Sequence, residues 1–297
     1  TVQARGSVDY ISDKMRQKFY ASTAPALCGA NGRYIEMDYQ ETLIYGDVMA
    51  MGKRKWEDFT LDVAIGGSIN DKNVNSTRYD SKNASLKYAN VFNLANIVMN
   101  GSASIDQKID SRRQLQSVFG TAQVGYQDKV FLDLTARNDW ASTLAYTSHE
   151  KSGFFYPSAG LSFLIDKWIQ LPEWISFAKL RGTYSKVGND IPQFITNSVS
   201  HITAGGELQA NDAAPFKEME PEMTHSVEVG TEWRFFQSRL GFNLTYYRTN
   251  THNQFFKLPA LAGDMYAYRY VNAGDIQNRG WELTVDATPV LTPDFTW

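Results

Sequence analysis

Apolar and polar residues alternate one by one over much of this chain. In residues 227–235 the odd positions are Val, Val, Thr, Trp and Phe, whereas the even positions are Glu, Gly, Glu and Arg. The same alternation recurs at 59–65, 130–139 and 281–287. Successive side chains of a β-strand point to opposite faces, so each segment is predicted to be a strand with one apolar and one polar face.

Short and long connections alternate between these strands. The tight links at 127–129 and 237–239 are predicted hairpin turns. If all short turns lie at one end of an up-and-down sheet and all long loops at the other, the result is the asymmetry of an outer-membrane β-barrel. The pattern predicts about ten to twelve strands and a short helical turn within 166–174. The predicted long loops, rich in Asn, Asp, Ser, Thr and Gly, lie at 70–112, 140–153, 188–223 and 250–277.

Composition narrows the classes of protein that fit. The 297 residues include 29 Lys plus Arg and 32 Asp plus Glu, which gives a formal net charge of -3 and no basic footprint for nucleic acid. Hydrophobic residues make up 43% of the chain, which excludes a disordered protein. No apolar run approaches the roughly 18 residues of a membrane-spanning helix, so a helical membrane protein is excluded.

Catalytic and metal-binding patterns are missing from the sequence. A single cysteine, Cys28, excludes an intramolecular disulfide and every multi-cysteine zinc pattern. Residues 71–75 echo the first ligands of a calcium loop, but Ser76 replaces the required glycine and Lys82 the final glutamate. No phosphate-binding loop, nucleophile elbow or dinucleotide fingerprint occurs. We therefore expect no enzymatic activity, no cofactor and no metal.

An antiparallel sandwich of a soluble protein also alternates apolar and polar positions. Strand length, loop asymmetry and aromatic residues near strand ends favour the membrane barrel, because aromatic girdles mark membrane interfaces. The aromatic residues in question are Phe154, Phe155, Tyr156, Trp168, Trp174, Phe235, Phe236, Tyr246, Tyr247, Phe255 and Phe256.

Several phrases resemble the SusC/RagA family of TonB-linked outer-membrane proteins. The specific match is the combination of EVGTE at 228–232, a short turn, LTYY at 244–247 and VNAGDIQNRGWEL at 271–283, and the order of the phrases also fits the family. The resemblance is strong from about Gln114 to the end and weaker before it. Further matches are EPE at 220–222, THSVEVGTE at 224–232, RLGFNLTYY at 239–247, LRGTYSKVGND at 180–190, RNDWAST at 137–143 and YPSAG at 156–160.

The resemblance implies a barrel of about 22 strands with an N-terminal plug, located in the bacterial outer membrane of a Bacteroidetes-like organism. It also implies a SusD-like surface lipoprotein as partner and energy supplied through TonB, which would contact a missing N-terminal region. The chain starts within an alternating segment and stops at what looks like the first residues of another strand. We therefore expect residues 1–297 to be part of a barrel without its plug or closing strands.

Candidate substrate-binding residues combine aromatic and polar side chains at strand ends next to long loops. Aromatic faces stack on sugar rings, while amides and carboxylates bond to hydroxyl groups. The alternative is that Trp140 belongs to the interfacial girdle and that the Asn and Asp residues terminate strands. The candidates are Asp139, Trp140, Asn189, Asp190, Tyr266, Tyr268, Arg269, Asn272 and Asp275.

These observations predict barrel wall and recognition loops of a SusC-like importer of oligosaccharides. A peptide or siderophore importer of the same fold is the first alternative. A soluble β-rich binding protein, with its apolar strand faces packed against each other, is the second.

Overall fold

The computed structural model describes residues 1–82, 86–99, 104–189, 191–197, 199–202, 208–293, 295 and 297. Within these residues the chain is all-β, apart from single 3₁₀ turns at Leu94–Asn96, Ser142–Leu144 and Ile165–Lys167. The strands are β1 (Val2–Phe19), β2 (Arg33–Trp56), β3 (Phe59–Asp80), β4 (Ser104–Tyr126), β5 (Val130–Ala141), β6 (Phe154–Leu164), β7 (Ile175–Asn189), β8 (His201–Ile202), β9 (Leu208–Gln209), β10 (Glu222–Phe235), β11 (Leu240–Pro259) and β12 (Tyr268–Ala287).

Ten of these strands form one antiparallel sheet. They pair in chain order, from β1 through β7 and then β10 to β12, whereas β8 and β9 form a separate hairpin. Strands β1 and β12 are the two edges of the large sheet. The predicted antiparallel up-and-down sheet and its strand number are confirmed.

Connections of different length lie at opposite ends of this sheet. We call the two ends the short-turn end and the long-loop end. Every connection of eight residues or more lies at the long-loop end, except the 165–174 link with its 3₁₀ turn, which lies at the short-turn end. This arrangement matches the predicted asymmetry. The short-turn end has the links 57–58, 127–129, 165–174 and 236–239, and the long-loop end has 20–32, 81–103, 142–153, 190–221 and 260–267.

The strands extend further into two of the predicted loops than the alternation indicates. Strand β3 continues to Asp80 and β4 begins at Ser104, so the second half of β3 and the first residues of β4 lie in the stretch assigned to a loop at 70–112. Likewise β11 and β12 occupy most of 250–277 and leave only 260–267 between them. The extension of β3 is polar apart from Val74 and Tyr79, and β11 has the consecutive apolar residues Phe255 and Phe256, so the alternation ends although the backbone ladder continues.

One face of the sheet, here called the apolar face, carries almost no charge between its ends. Strand register places the apolar positions of neighbouring strands side by side, as in Leu132 opposite Val124 and Leu161. Many of these side chains are exposed, because no layer of the described residues covers them. Exposed members include Val8, Ile44, Val48, Val63, Ile65, Val118, Leu132, Leu134, Leu161, Leu180, Val227, Val229, Leu283 and Val285.

The opposite, polar face is held together by pairs between charged and polar side chains. Arg5 Nε contacts Asp47 at 3.1 Å, and Lys72 Nζ contacts Glu41 at 2.7 Å. Arg181 of β7 donates to Thr245 Oγ1 at 2.8 Å and to Asn243 Oδ1 at 3.1 Å, both in β11. Such cross-strand pairs stabilise the polar surface without any apolar cover.

Aromatic rings collect where the apolar face ends. At the short-turn end Trp168 stacks on Phe163 with 5.2 Å between ring centroids, and Trp174 stacks on Phe235 at 5.6 Å. Towards the other end Tyr246 contacts Trp281 at 4.9 Å. Rings with an apolar body and a polar tip suit the two interfaces of a membrane.

Among the described residues, none forms a helix with the length and apolar character needed to cross a membrane.

A buried carboxylate anchors β2 to β3 at the long-loop end. Asp80 accepts hydrogen bonds from Arg33 at 2.8 and 2.9 Å and from Arg78 at 2.7 Å, and it is 2% exposed. It lies eleven residues beyond Ile69, the last apolar-face side chain of β3, and therefore outside the apolar band. Burial raises the pKa of Asp80, but the bonds from Arg33, the Lys82 amide and Arg78 outweigh this and lower the pKa to about 2.

The directions in which the β5 side chains point predict unequal effects of two neighbouring substitutions in the full-length protein, here called the parent protein. Leu132→Arg puts a charge on the apolar face, which costs roughly 2 to 4 kcal/mol at the membrane midplane and less towards the interfaces. Asp133→Asn only weakens one polar-face bond, from Gln123 Nε2 at 2.6 Å. We expect Leu132→Arg to reduce the heat-modifiable, folded fraction on a gel and Asp133→Asn to leave it unchanged. Equal folded fractions would contradict the assigned faces.

Acid should loosen the anchor at Asp80. Because the pKa is lower in the folded state, its stabilisation is present above the ordinary value of 3.8 and is lost as the pH falls through about 2. The loss amounts to about 2 kcal/mol of local opening free energy. It can be measured as faster intrinsic-rate-corrected hydrogen exchange of the Ser81 amide, which bonds to the Tyr34 carbonyl at 3.0 Å. In the Asp80→Asn variant the Ser81 amide should exchange fast at every pH. If the variant kept the same pH dependence of exchange as the wild type, the assignment of the effect to Asp80 would be refuted.

Candidate functional site

The connection 190–221 crosses the polar face at the long-loop end. It leaves β7 and returns to β10, which are neighbours in the sheet, yet its described residues contact strands from β4 to β12. It therefore lies over the polar face of seven neighbouring strands rather than projecting straight from the sheet.

Apolar contacts hold the first side of this connection. Ile191, Ile195 and Met219 are buried against Ala141 and Phe154, which end β5 and begin β6. The Gln193 side chain adds a polar contact, donating from Nε2 to the Arg112 carbonyl at 2.8 Å. A cluster of this kind fixes the segment because opening it would expose several apolar side chains.

The Asn272 side chain holds the second side. Its Oδ1 accepts from the Glu220 amide at 2.8 Å, and its Nδ2 donates to the carbonyls of Glu220 at 2.8 Å and Asn253 at 2.7 Å. Asn253 Nδ2 in turn donates to the Glu220 carboxylate at 2.7 Å. Asn272 thus uses both ends of its amide to connect β11, β12 and the 190–221 connection.

An aromatic and charged patch lies where β11 ends and β12 begins. The Lys257 ammonium is 4.3 Å from the centroid of the Tyr268 ring and 3.2 Å from Asp212 Oδ1. Tyr268 remains 36% exposed. Next to it, Phe216 of the connection stacks on Tyr270 with 6.1 Å between centroids. A planar ring, a cation and a carboxylate are therefore gathered at one place.

Four of the nine candidate residues lie on the polar face. Tyr268 and Asn272 both contact the 190–221 connection, Tyr268 at Ala214 and Asn272 at Glu220. Asn189, at the end of β7, donates to Glu222 Oε1 at 2.8 Å. Asp139 is held by Arg137 at 2.6 Å, and the same guanidinium donates to Ser117 Oγ at 2.6 Å.

Other candidates point away from this face or lie in a loop. The strand register puts Trp140, Arg269 and Asp275 on the side of the apolar face, beyond its apolar band. Trp140 Nε1 donates to the Lys151 carbonyl at 3.0 Å, which is the role expected of a strand-end residue. Asp275 lies 3.5 Å from His252 Nδ1. Tyr266 is in the 260–267 loop, and Asp190 lies outside the described residues.

The loop 260–267 is fixed by an ion pair at its base. Arg269 donates to Asp264, and this bond, with one from the Tyr266 amide, lowers the pKa of the Asp264 carboxyl. The pair closes the loop on itself and keeps Arg269 from reaching the polar face.

Sequence reasoning missed the residues of the connection that complete the patch. Asp212, Phe216 and Lys257 follow no strand-end pattern, and only the folding of 190–221 across the sheet brings the first two to β11 and β12. The signal available was the length of the stretch, since long loops of compact proteins usually carry function.

The described part of the chain contains no group of three His, Cys, Asp or Glu side chains placed to hold a metal ion. The arrangement is one of stacking and hydrogen bonding with neutral and charged partners, so it can bind a polar solute.

An antiparallel up-and-down sheet with an exposed apolar face, aromatic borders and long loops at one end is the wall of an outer-membrane β-barrel. The family model described as "TonB dependent receptor-like, beta-barrel" matches residues 2–297. The chain belongs to this family. Its place is therefore the bacterial outer membrane, as predicted.

Curated relatives agree with this family. TonB-dependent receptor P26 of Formosa agariphila is 28% identical over 194 residues, which cover 62% of this chain and 19% of the relative. TonB-dependent receptor SusC of Bacteroides thetaiotaomicron is 24% identical over 202 residues, covering 63% and 20%. The chain thus spans about a fifth of the length of these relatives. The resemblance to the SusC/RagA proteins is confirmed.

Solved structures share the fold. The RagAB peptide transporter superposes with a TM-score of 0.79 at 19% identity, over 99% of this chain and 33% of that chain. The ferripyoverdine receptor of the Pseudomonas aeruginosa outer membrane gives a TM-score of 0.54 at 16% identity, over 98% and 36%. Relatives and neighbours are receptors and transporters, which confirms the expectation that the chain is not an enzyme.

Replacing Asn272 should release the 190–221 connection. Asn272→Ala removes three hydrogen bonds, each worth roughly 0.5 to 1.5 kcal/mol, while the sheet keeps its backbone ladder. We expect faster hydrogen exchange in 212–220 and unchanged exchange in β12. Asn278→Ala, an exposed amide on the same strand, is the matched control. Equal exchange of 212–220 in both variants would show that Asn272 does not hold the connection.

Proposed function

We propose that the chain forms barrel wall and substrate-recognition loops of a SusC-like, TonB-dependent nutrient importer that takes up oligosaccharides. The observation that carries the proposal is the patch of Tyr268, Lys257 and Asp212 on the polar face, covered by the 190–221 connection. A solute that enters from the long-loop end meets this patch and the connection before it meets the rest of the polar face.

The chemistry of the patch favours a sugar. An exposed aromatic ring stacks on the apolar face of a pyranose, and charged groups beside it bond to the hydroxyls. The neighbouring Phe216 and Tyr270 rings keep the connection in place beside the exposed ring. A peptide importer is the main alternative, and a siderophore importer is the second.

Partners follow from the same proposal. The long-loop end would face the outside, where a SusD-like lipoprotein would cover the mouth of the barrel. Energy would reach the parent protein through TonB, at a part of the parent outside residues 1–297. Membrane lipid would surround the apolar face, and the formal net charge of -3 gives no basic footprint for nucleic acid.

Substrate class can be tested with the parent protein in detergent. Tyr268→Ala should weaken binding of the best-bound oligosaccharide by about tenfold in calorimetry, a change of about 1.4 kcal/mol, because the variant loses the ring on which the sugar stacks. Tyr10→Ala, which removes an exposed ring from the apolar face of β1, is the control and should not change the affinity. If the two variants bound the oligosaccharide with equal affinity, Tyr268 would not be part of the binding site.

Growth identifies the class of nutrient independently. Deletion of the parent gene should abolish growth on at least one polysaccharide as sole carbon source. Normal growth on every tested polysaccharide, together with loss of growth on peptides, would replace the oligosaccharide proposal with peptide import.

A further inference from the structure

Two arginines face each other on the outside of the sheet. Arg248 of β11 and Arg279 of β12 are direct partners in the antiparallel register, and both are exposed. Side chains at such positions have Cβ atoms about 4.5 to 5.5 Å apart, and like charges placed there repel. The pair therefore costs stability unless an anion lies between the two guanidinium groups.

The described residues supply no carboxylate to this pair. Arg248 Nε donates to Asn250 Oδ1 at 3.1 Å, and the other neighbour is the Gln277 amide, so both contacts are neutral. The acidic side chain on this part of the face is Asp275, which lies 3.5 Å from His252 and accepts from Asn250 at 3.3 Å.

Further basic groups continue the pair across the sheet. Lys186 of β7 and His225 of β10 are register partners one row further from the apolar band, on the same face. The His225 ring contacts the His252 ring, with 5.6 Å between centroids, and its Nδ1 is 3.0 Å from the Tyr184 hydroxyl. Together with Arg248 and Arg279, Lys186 gives this surface three positive charges, which lie on β7, β11 and β12.

An apolar groove begins directly beneath the arginines. Tyr246 and Trp281 are two residues back along β11 and β12, on the same face, with ring centroids 4.9 Å apart. Below these rings the face offers a shallow apolar groove. It is lined by Leu180, Val229, Gly230, Thr231, Leu244, Tyr246 and Trp281.

We propose that Arg248 and Arg279 bind the phosphate of an outer-leaflet membrane lipid whose acyl chain lies in the groove beneath them. A guanidinium matches the geometry of phosphate and bonds to it bidentately, and the bound anion removes the repulsion within the pair. The arginines lie at headgroup level, next to the aromatic border of the apolar face. A free phosphate would use only the arginines, whereas a lipid uses the groove as well.

This site depends on the membrane location of the family and is independent of the nutrient that the parent protein imports. It faces lipid, on the opposite side of the sheet from Tyr268. Failure of the lipid site would therefore leave the oligosaccharide proposal untouched, and the reverse also holds.

Native mass spectrometry of the delipidated parent protein in detergent tests the site, with diphosphoryl lipid A as the probe. We expect Arg248→Gln combined with Arg279→Gln to lower the bound fraction by about tenfold, because the variant loses the charge-assisted hydrogen bonds from both guanidinium groups to the phosphate. Arg54→Gln is the matched control. It removes an exposed guanidinium from the same face at the short-turn end, where it lies 5.3 Å from the Trp56 ring, and should leave the bound fraction unchanged.

Two further binding measurements use the wild-type parent protein. Dephosphorylated lipid A should bind about tenfold more weakly than the diphosphoryl form, and inorganic phosphate should fail to displace the lipid at equal concentration. Equal binding of the two lipids, equal retention in all variants, or displacement by inorganic phosphate would overturn the proposal. Heat-modifiability on a gel confirms that each compared variant is folded.

Discussion

The requirement that every backbone N–H and C=O in a membrane be paired within the protein determines this structure. Unpaired groups cost several kcal/mol in hydrocarbon, so strands must pair with neighbours along their whole membrane path. Ten strands in unbroken chain order satisfy this requirement everywhere except at the edges β1 and β12. Because the backbone is satisfied by the sheet, the side chains are free to differ completely between the two faces.

That difference separates two kinds of recognition. In the proposed importer the polar face, with its ion pairs and the 190–221 connection above it, meets a hydrophilic solute. The apolar face meets lipid, and its borders carry first aromatic rings and then the arginine pair Arg248 and Arg279. A single alternation of side chains thus places the proposed solute site and the proposed lipid site on opposite faces of one sheet.

Sequence alone predicted the parts of the fold that depend on alternation. Residues 227–235 were assigned to a strand with the correct faces, and the turns predicted at 127–129 and 237–239 from tight polar links lie within the observed links 127–129 and 236–239. The predicted strand ended too early in β3, which continues beyond Ile69 to Asp80. A strand with water on both sides has no apolar face, so no alternation of apolar and polar residues indicates it. The partners of Tyr268 could not be predicted either, since Asp212 reaches Lys257 only through a long-range fold of the loop.

The central claim is that the apolar face meets lipid. Spin labels at single cysteines along β10 of the parent protein, with Cys28 replaced by serine, test it most directly in a reconstituted bilayer. The account predicts high accessibility to oxygen at Val227, Val229 and Trp233 and low accessibility at Glu228 and Glu232, which follows the period of two. Uniformly low oxygen accessibility along the strand would contradict the account and indicate apolar faces packed against each other in a soluble β protein.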